Sequence, residues 1–224
     1  MTEQEVPPGG ELVGDDVPWQ AWSPAEAAER LAGVPVPWAV AGGWAVDLFC
    51  GQTTREHDDL EIAIPAAGFP AVRAALSDLE FDVIGDGWRW PADSEAFGLH
   101  HQTWGREPGT GIYRIDVFRE PHDAGSCRDA GIRNDDGIRN DDGIWICRRD
   151  ESIRRPYDEV ILRSADGIPY VAPEIVLLFK AKHARPKDEA DFAGLLPLIG
   201  PDRRDWLTAA LRQVHPGHHW LASL

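Results

Sequence analysis

Residues 41–64 read AGGWAVDLFCGQTTREHDDLEIAI, and no other stretch restricts the fold as much. Gly42 and Gly43 form a turn that opens a helical pattern over residues 44–50, and Gly51 closes it. A polar loop follows, then a run of strand character over residues 58–64. Side chains on a strand alternate faces with a period of two, so Asp59 and Glu61 share one face. Leu60, Ile62 and Ile64 take the other face, towards a core. Neighbouring carboxylates on one face repel each other, and burial sharpens the conflict. A hard divalent cation such as Mg²⁺ between them removes it. The pattern is half of a metal site beside a glycine turn that admits a phosphate.

The other elements follow from similar signals. Ser23-Pro24-Ala25-Glu26 is a capping box with Pro at the first helical position, and Gly33 stops that helix. Residues 38–41 read as a buried strand and 69–79 as a helix. Strands are expected over 81–84, 99–104, 112–119, 144–148, 159–162 and 168–171. Pro173-Glu174 begins a helix running to about residue 184, which Pro186 breaks. Helices over 188–195 and 202–214 complete the chain. The elements pass from mixed α/β to all-helical near residue 172. The expected organisation is a loose tail over 1–20, an α/β (α+β) core over 21–172 and a C-terminal helical region over 173–224. Residues 131–143, GIRNDDGIRNDDG, repeat one unit twice. Two copies are too few for a solenoid, and the Asp spacing is not that of a calcium loop. They read as a duplicated surface loop.

Charge and cysteine usage exclude several classes. The chain has 38 acidic and 22 basic residues, a formal net charge of -16. A grip on long nucleic acid needs a basic face, which this chain lacks the means to build. An acidic surface suits a small cationic partner, and it also keeps a protein soluble. Cys50, Cys127 and Cys147 are an odd, widely spaced set, which argues against a disulfide framework and fits a reducing cytoplasm. The acidic, Pro/Gly-rich N-terminus has no signal-peptide character. The most apolar stretch, residues 34–50, is broken by Pro35, Pro37, Gly42, Gly43 and Asp47, so no membrane span is expected.

Asp116 is the natural third carboxylate. It stands inside Tyr113-Arg114-Ile115-Asp116-Val117-Phe118, an apolar strand where an unpaired charge is expensive. The bland alternative is an ion pair with Arg114 or Arg119. If its strand lies beside that of Asp59, three acids converge. Three carboxylates can hold two Mg²⁺ ions, which clamp the attacking and leaving oxygens of an in-line displacement at phosphorus. The lysines point the same way. Against nineteen arginines the chain has three, Lys180, Lys182 and Lys187, all within eight residues. An ammonium is a compact, mobile charge suited to a triphosphate, although a solvated basic helix face is the competing explanation. Arg55 and His57, just before the acid strand, can contact phosphate or pair with the carboxylates. His100 and His101 read as strand residues, and Trp44 and Trp104 either stack on a ligand or pack in the core.

These residues resemble the DNA polymerase β-like nucleotidyltransferase superfamily, particularly the aminoglycoside and lincosamide nucleotidyltransferases. The likeness rests on Gly42-Gly43-Trp44-Ala45, Asp47, Gly51, Arg55, His57, Asp59 and Glu61, with Asp116 as the later acid and residues 173–192 as the helical region that follows. The resemblance implies a mixed sheet flanked by helices, two Mg²⁺ ions and a nucleoside triphosphate co-substrate such as ATP. It implies transfer of a nucleoside monophosphate to a hydroxyl of a small acceptor, an aminoglycoside-like antibiotic among the candidates. Asp59 and Glu61 would bind both metals, and Asp116 would bind one or take the acceptor's proton. Gly42, Gly43, Lys180, Lys182 and Lys187 would hold the triphosphate. Glu61 stands where many members carry Asp. Two alternatives stay open: a toxin-like transferase acting on RNA or protein, and a catalytically weak nucleotide-binding homologue. The oligomeric state is not legible in the sequence.

Overall fold

The computed structural model describes residues 6–14, 16–123 and 143–224. The 131–143 repeat, Gly143 excepted, and Cys127 lie outside the described residues.

Strand β1 (Glu11–Leu12) precedes helix α1 (Pro24–Arg30). The capping box holds: the Ser23 N–H donates to Glu26 Oε2 at 2.7 Å and the Glu26 N–H to Ser23 Oγ at 3.2 Å. Next come β2 (Ala39–Val40), α2 (Gly42–Cys50), β3 (Glu61–Pro65), α3 (Phe69–Ala75), β4 (Glu80–Gly85) and β5 (Trp88–Pro91). Then follow β6 (Gln102–Arg106), β7 (Tyr113–Glu120), β8 (His122–Asp123), β9 (Ile144–Ile146) and β10 (Arg154–Pro156). The short helix α4 (Tyr157–Val160) leads into β11 (Ile161–Arg163) and β12 (Pro169–Val171). The chain ends in α5 (Pro173–Lys180), α6 (Pro186–Leu195) and α7 (Pro201–Val214).

Among the described residues nine strands form one sheet in the order β1-β5-β4-β6-β7-β3-β2-β12-β11, and β10-β9-β8 form a second. Both β3–β7 and β2–β12 are parallel, while the remaining pairs are antiparallel, so the sheet is mixed. The fold is the expected mixed sheet flanked by helices. Ile62, Ile64, Ile115 and Val117 are buried, in one continuous core with Leu177, Leu178, Leu195, Leu207 and Leu211 of the C-terminal helices.

Several local expectations need correction. Residues 6–14 and 16–20 are not loose: Glu11 and Leu12 pair with Arg89 and Trp88, and Trp19 bridges Tyr113. The buried Trp90 ring donates to the Pro8 carbonyl at 3.2 Å, and Trp19 packs its ring against Trp104 and Tyr113, which supplies the reason. The acid strand begins at Glu61, leaving Asp59 in the segment just before it. Helix α5 stops at Lys180 and α6 starts at Pro186, so the lysines do not share one helix face. Residues 157–160 are a helical turn, with the strand beginning only at Ile161. Strand β5 was not expected; it returns from β4 through Asp86 (φ 51°) and Gly87 (φ 83°), the left-handed pair of a tight hairpin turn.

Candidate active site

The register of β3 on β7 sets the centre of the site. Glu61 lies directly opposite Asp116, and Ala63 lies opposite Phe118. Opposed residues point to the same side of a sheet, so Glu61, Ala63, Asp116, Phe118 and Glu120 share one face. Strand β6 adds Gln102 and Trp104 to it. Gln102 Nε2 donates to Asp116 Oδ2 at 2.6 Å, while Asp116 Oδ1 is buried without a hydrogen-bond partner. Neither arginine neutralises Asp116. Arg114 holds Glu107 and the Gln20 carbonyl. Arg119 emerges on the opposite face, where it donates to Thr103 and to the Phe97 and His100 carbonyls.

The two acids press on each other. Burial first, then the Asp59 charge, push the Glu61 carboxyl up to about 7, against the pull of Lys180, Lys187 and Arg148. Burial and then Glu61 raise Asp116 well above the ordinary carboxylate range, partly offset by the Gln102 amide. Hard carboxylate oxygens, mutual repulsion and an unpartnered Oδ1 are the chemistry a divalent cation such as Mg²⁺ satisfies. The residues therefore fit such an ion, with Glu61 and Asp116 side by side and Asp59 within their electrostatic reach. No group of three His, Cys, Asp or Glu residues among the described residues is already gathered for a metal.

The glycine turn is built around Glu61. Gly42 has φ +59°, and a Cβ there would strike the Glu61 carboxylate, whose Cδ would be 2.6 Å away. A Cβ on Gly43 would meet the Arg55 guanidinium and His57, whose Nδ1 would be 2.6 Å away. Both glycines are thus required by side chains of this chain itself. The loop between α2 and β3 is held by Asp47 of α2, which is buried. Its Oδ1 accepts from the Thr54 N–H at 3.0 Å and from the Thr54 hydroxyl, and its Oδ2 lies 2.7 Å from His57 Nε2. The Trp44 ring lies tilted against the His57 ring, centroids 4.4 Å apart, and donates from Nε1 to the Asp59 carbonyl at 3.1 Å. His57 and Trp44 therefore fix the backbone that carries Asp59.

The cationic side is assembled from the C-terminal helices. Lys180 pairs with Asp188 at 3.1 Å and Asp191 at 2.8 Å, and Asp191 also faces Arg55 Nε at 3.7 Å. Asp188 caps α6 by accepting from the Arg185 backbone and guanidinium. Lys182 is exposed and has no ion pair among the described residues. Lys187 is also exposed, and its charge is felt at Glu61.

A cavity of about 680 Å³ opens over this face. Gly42, Glu61 and Gln102 line it together with Lys180 and Lys182, while Phe118, Trp145 and Phe179 give it apolar wall. Gln102, prominent in the geometry, carries no signal in the sequence, whereas Asp47 is one of the residues that carry the resemblance and its hold on Thr54 and His57 emerges only in the structure.

Residues 25–96 match the family model described as aminoglycoside-2''-adenylyltransferase. No curated protein sequence matches the chain significantly. Solved structures are similar at low identity. A crystal structure of the lincosamide antibiotic adenylyltransferase LnuA with lincomycin bound is 18% identical, over 84% of this chain and 100% of that one, with a TM-score of 0.48. A crystal structure of ANT(2")-Ia in complex with adenylyl-2"-tobramycin is 16% identical, over 85% and 93%, with a TM-score of 0.46. The solution structure of ANT(2'')-Ia is 16% identical, over 85% and 88%, with a TM-score of 0.45. The matched residues 25–96 include Gly42, Gly43, Asp59 and Glu61, and leave out Asp116 and the C-terminal helices.

Proposed function

We propose that this chain transfers a nucleoside monophosphate from a nucleoside triphosphate to a hydroxyl of a small acceptor, an aminoglycoside-like antibiotic. The observation that carries the proposal is the Glu61–Asp116 pair, opposed on parallel strands and electrostatically strained, with Glu61 lining a cavity that Lys180 and Lys182 also line. The family match over the glycine turn and the first two acids supports it.

The residues divide the work. Asp59, Glu61 and Asp116 would hold divalent cations, two Mg²⁺ ions in this reading. Such ions supply Lewis-acid stabilisation of charge on phosphate oxygens. In this reading Asp116, whose Oδ1 has no hydrogen-bond partner among the described residues, would bind one of these ions or take the acceptor's hydroxyl proton. The acceptor oxygen then bonds to the α-phosphorus, the bond from that phosphorus to the bridging oxygen breaks, and pyrophosphate departs with the electron pair. Lys180, held beside the cavity by Asp188 and Asp191, and the exposed Lys182 and Lys187 supply positive charge for the triphosphate. Gly42 and Gly43 keep the start of α2 close to Glu61, where its backbone N–H groups face negative charge. Arg55 and His57 act by fixing this frame through Asp191 and Asp47. The net charge of -16 favours a cationic acceptor by long-range attraction. No helix among the described residues is long and apolar enough to cross a membrane, and Cys50 and Cys147 are free thiols, in keeping with a cytoplasmic setting.

The test pairs each nucleoside triphosphate and Mg²⁺ with a panel of aminoglycosides and lincosamides and follows pyrophosphate release. Release above an Asp59→Ala control with at least one pairing is expected. Silence across the whole panel would overturn the proposal.

A further inference from the structure

Arg148 lies at the cavity wall just after β9, where the sequence gives no sign of a function. Its guanidinium carbon is 4.9 Å from the Phe118 ring centre and 4.2 Å from that of Phe179. Its Nη1 donates to Oε1 of Glu120, which is buried on the same β7 face as Asp116. Nε and Nη2 have no partner among the described residues. The neighbouring Arg149 differs in this respect: one Nη faces His215 at 3.1 Å and the other donates to the Phe179 carbonyl at 2.9 Å. Arg149 is thus committed to the fold, whereas Arg148 is stiffened by two aromatic rings and one carboxylate and keeps a donor edge without a partner among the described residues. A guanidinium immobilised this way loses little freedom when it binds an oxyanion, and its planar edge matches two phosphate oxygens. Its surroundings favour an anion too. Arg148 and Lys182 both bear on His101, which stacks near Phe118 at 5.9 Å, so the two charges flank one part of the cavity.

We propose that Arg148 anchors the polyphosphate of the nucleotide through its Nε–Nη2 edge, and that Glu120 is its positioning residue. The identity of the anion as a triphosphate rests on the nucleotidyl-transfer reading; the anion site itself rests on the geometry of Arg148. Glu120 serves two ends here. It fixes the guanidinium, and it neutralises part of its charge until a stronger anion arrives.

Titration calorimetry of the full chain with inorganic pyrophosphate, without metal, tests the site apart from turnover. Arg148→Lys keeps a cation beside Glu120 but has no second donor edge. It should weaken pyrophosphate binding about tenfold or more while the melting transition stays near that of the parent. Glu120→Gln keeps an acceptor for Nη1 and removes the competing charge, so pyrophosphate should bind about threefold tighter or better. A purely structural ion pair predicts equal pyrophosphate affinity in all three proteins. That result, or a parent protein that does not bind pyrophosphate, overturns the assignment. Arg148-dependent pyrophosphate binding in a chain that transfers no nucleotide keeps the anion site and removes the transferase reading. Transfer with an unchanged KM for the nucleotide in Arg148→Lys does the reverse.

Discussion

Replacing Glu61 by Gln should flatten the pH dependence of stability in a way that can be calculated. In the folded chain the Glu61 carboxyl titrates at about 7, raised from an ordinary value of 4.5 by burial and by Asp59. A carboxyl raised in this way favours folding while protonated. Its contribution is full below the unfolded value and is lost as pH rises through the folded value. For that shift the linkage relation gives a loss of about 2 kcal/mol between about pH 5.5 and pH 8.5. Glu61 is only half-buried, so water in the cavity lowers this to about 1–2 kcal/mol. Glutamine also relieves Asp116, whose proton affinity Glu61 raises, and this acts in the same direction. Urea unfolding of parent and Glu61→Gln, in metal-free buffer at several pH values, reads the difference directly. The variant should gain on the parent steadily with pH. Parallel curves for the two proteins would refute the claim that Glu61 and its acid neighbours form a strained cluster.

Gly42→Ala should cost about 2 kcal/mol in urea unfolding, because φ is +59° and the new Cβ would displace the Glu61 carboxylate. The displaced acid should also abolish pyrophosphate release. Asp47→Asn weakens the acceptor that holds Thr54 and His57, so amide exchange across residues 51–58 should accelerate while the sheet stays protected. Lys180→Ala removes a partner from the buried Asp188 and Asp191; Arg185 and Arg55 remain, so a loss of about 2 kcal/mol is expected by thermal or urea unfolding. Stability unaffected by that change would show Lys180 to be free for ligand rather than shared with the fold.

Much of the sheet's central geometry was legible because it depends on alternation. Glu61 on the face opposite Ile62 and Ile64, and an acid inside the apolar β7, are both visible as polar residues in a period-two pattern, whereas Asp59 lies before the strand that the pattern assigned it to. That Glu61 would face Asp116 was not, since register between strands more than fifty residues apart is a tertiary outcome. The glycine pair was legible as a turn, yet the reason for Gly42 is the Glu61 carboxylate packed against it. Arg55 and Lys180 looked like phosphate ligands by composition. Their partners, Asp191 and Asp188, lie on α6, which reaches them only after the chain turns at Pro186. The β4–β5 hairpin was available in the sequence: Asp86-Gly87 between apolar runs is a strong local signal. Arg148 offered none, because an arginine beside a short strand acquires its role only from the Phe118, Phe179 and Glu120 side chains around it.

Mass spectrometry of the acceptor tests the central claim most directly. After incubation with Mg²⁺, a nucleoside triphosphate and an aminoglycoside or lincosamide, the acceptor should gain the mass of one nucleoside monophosphate. The gain should vanish with Asp116→Asn, which keeps the Gln102 contact but cannot take a proton as the carboxylate does. An adduct formed at the parental rate by Asp116→Asn, or none with the parent protein for any pairing, would contradict the account.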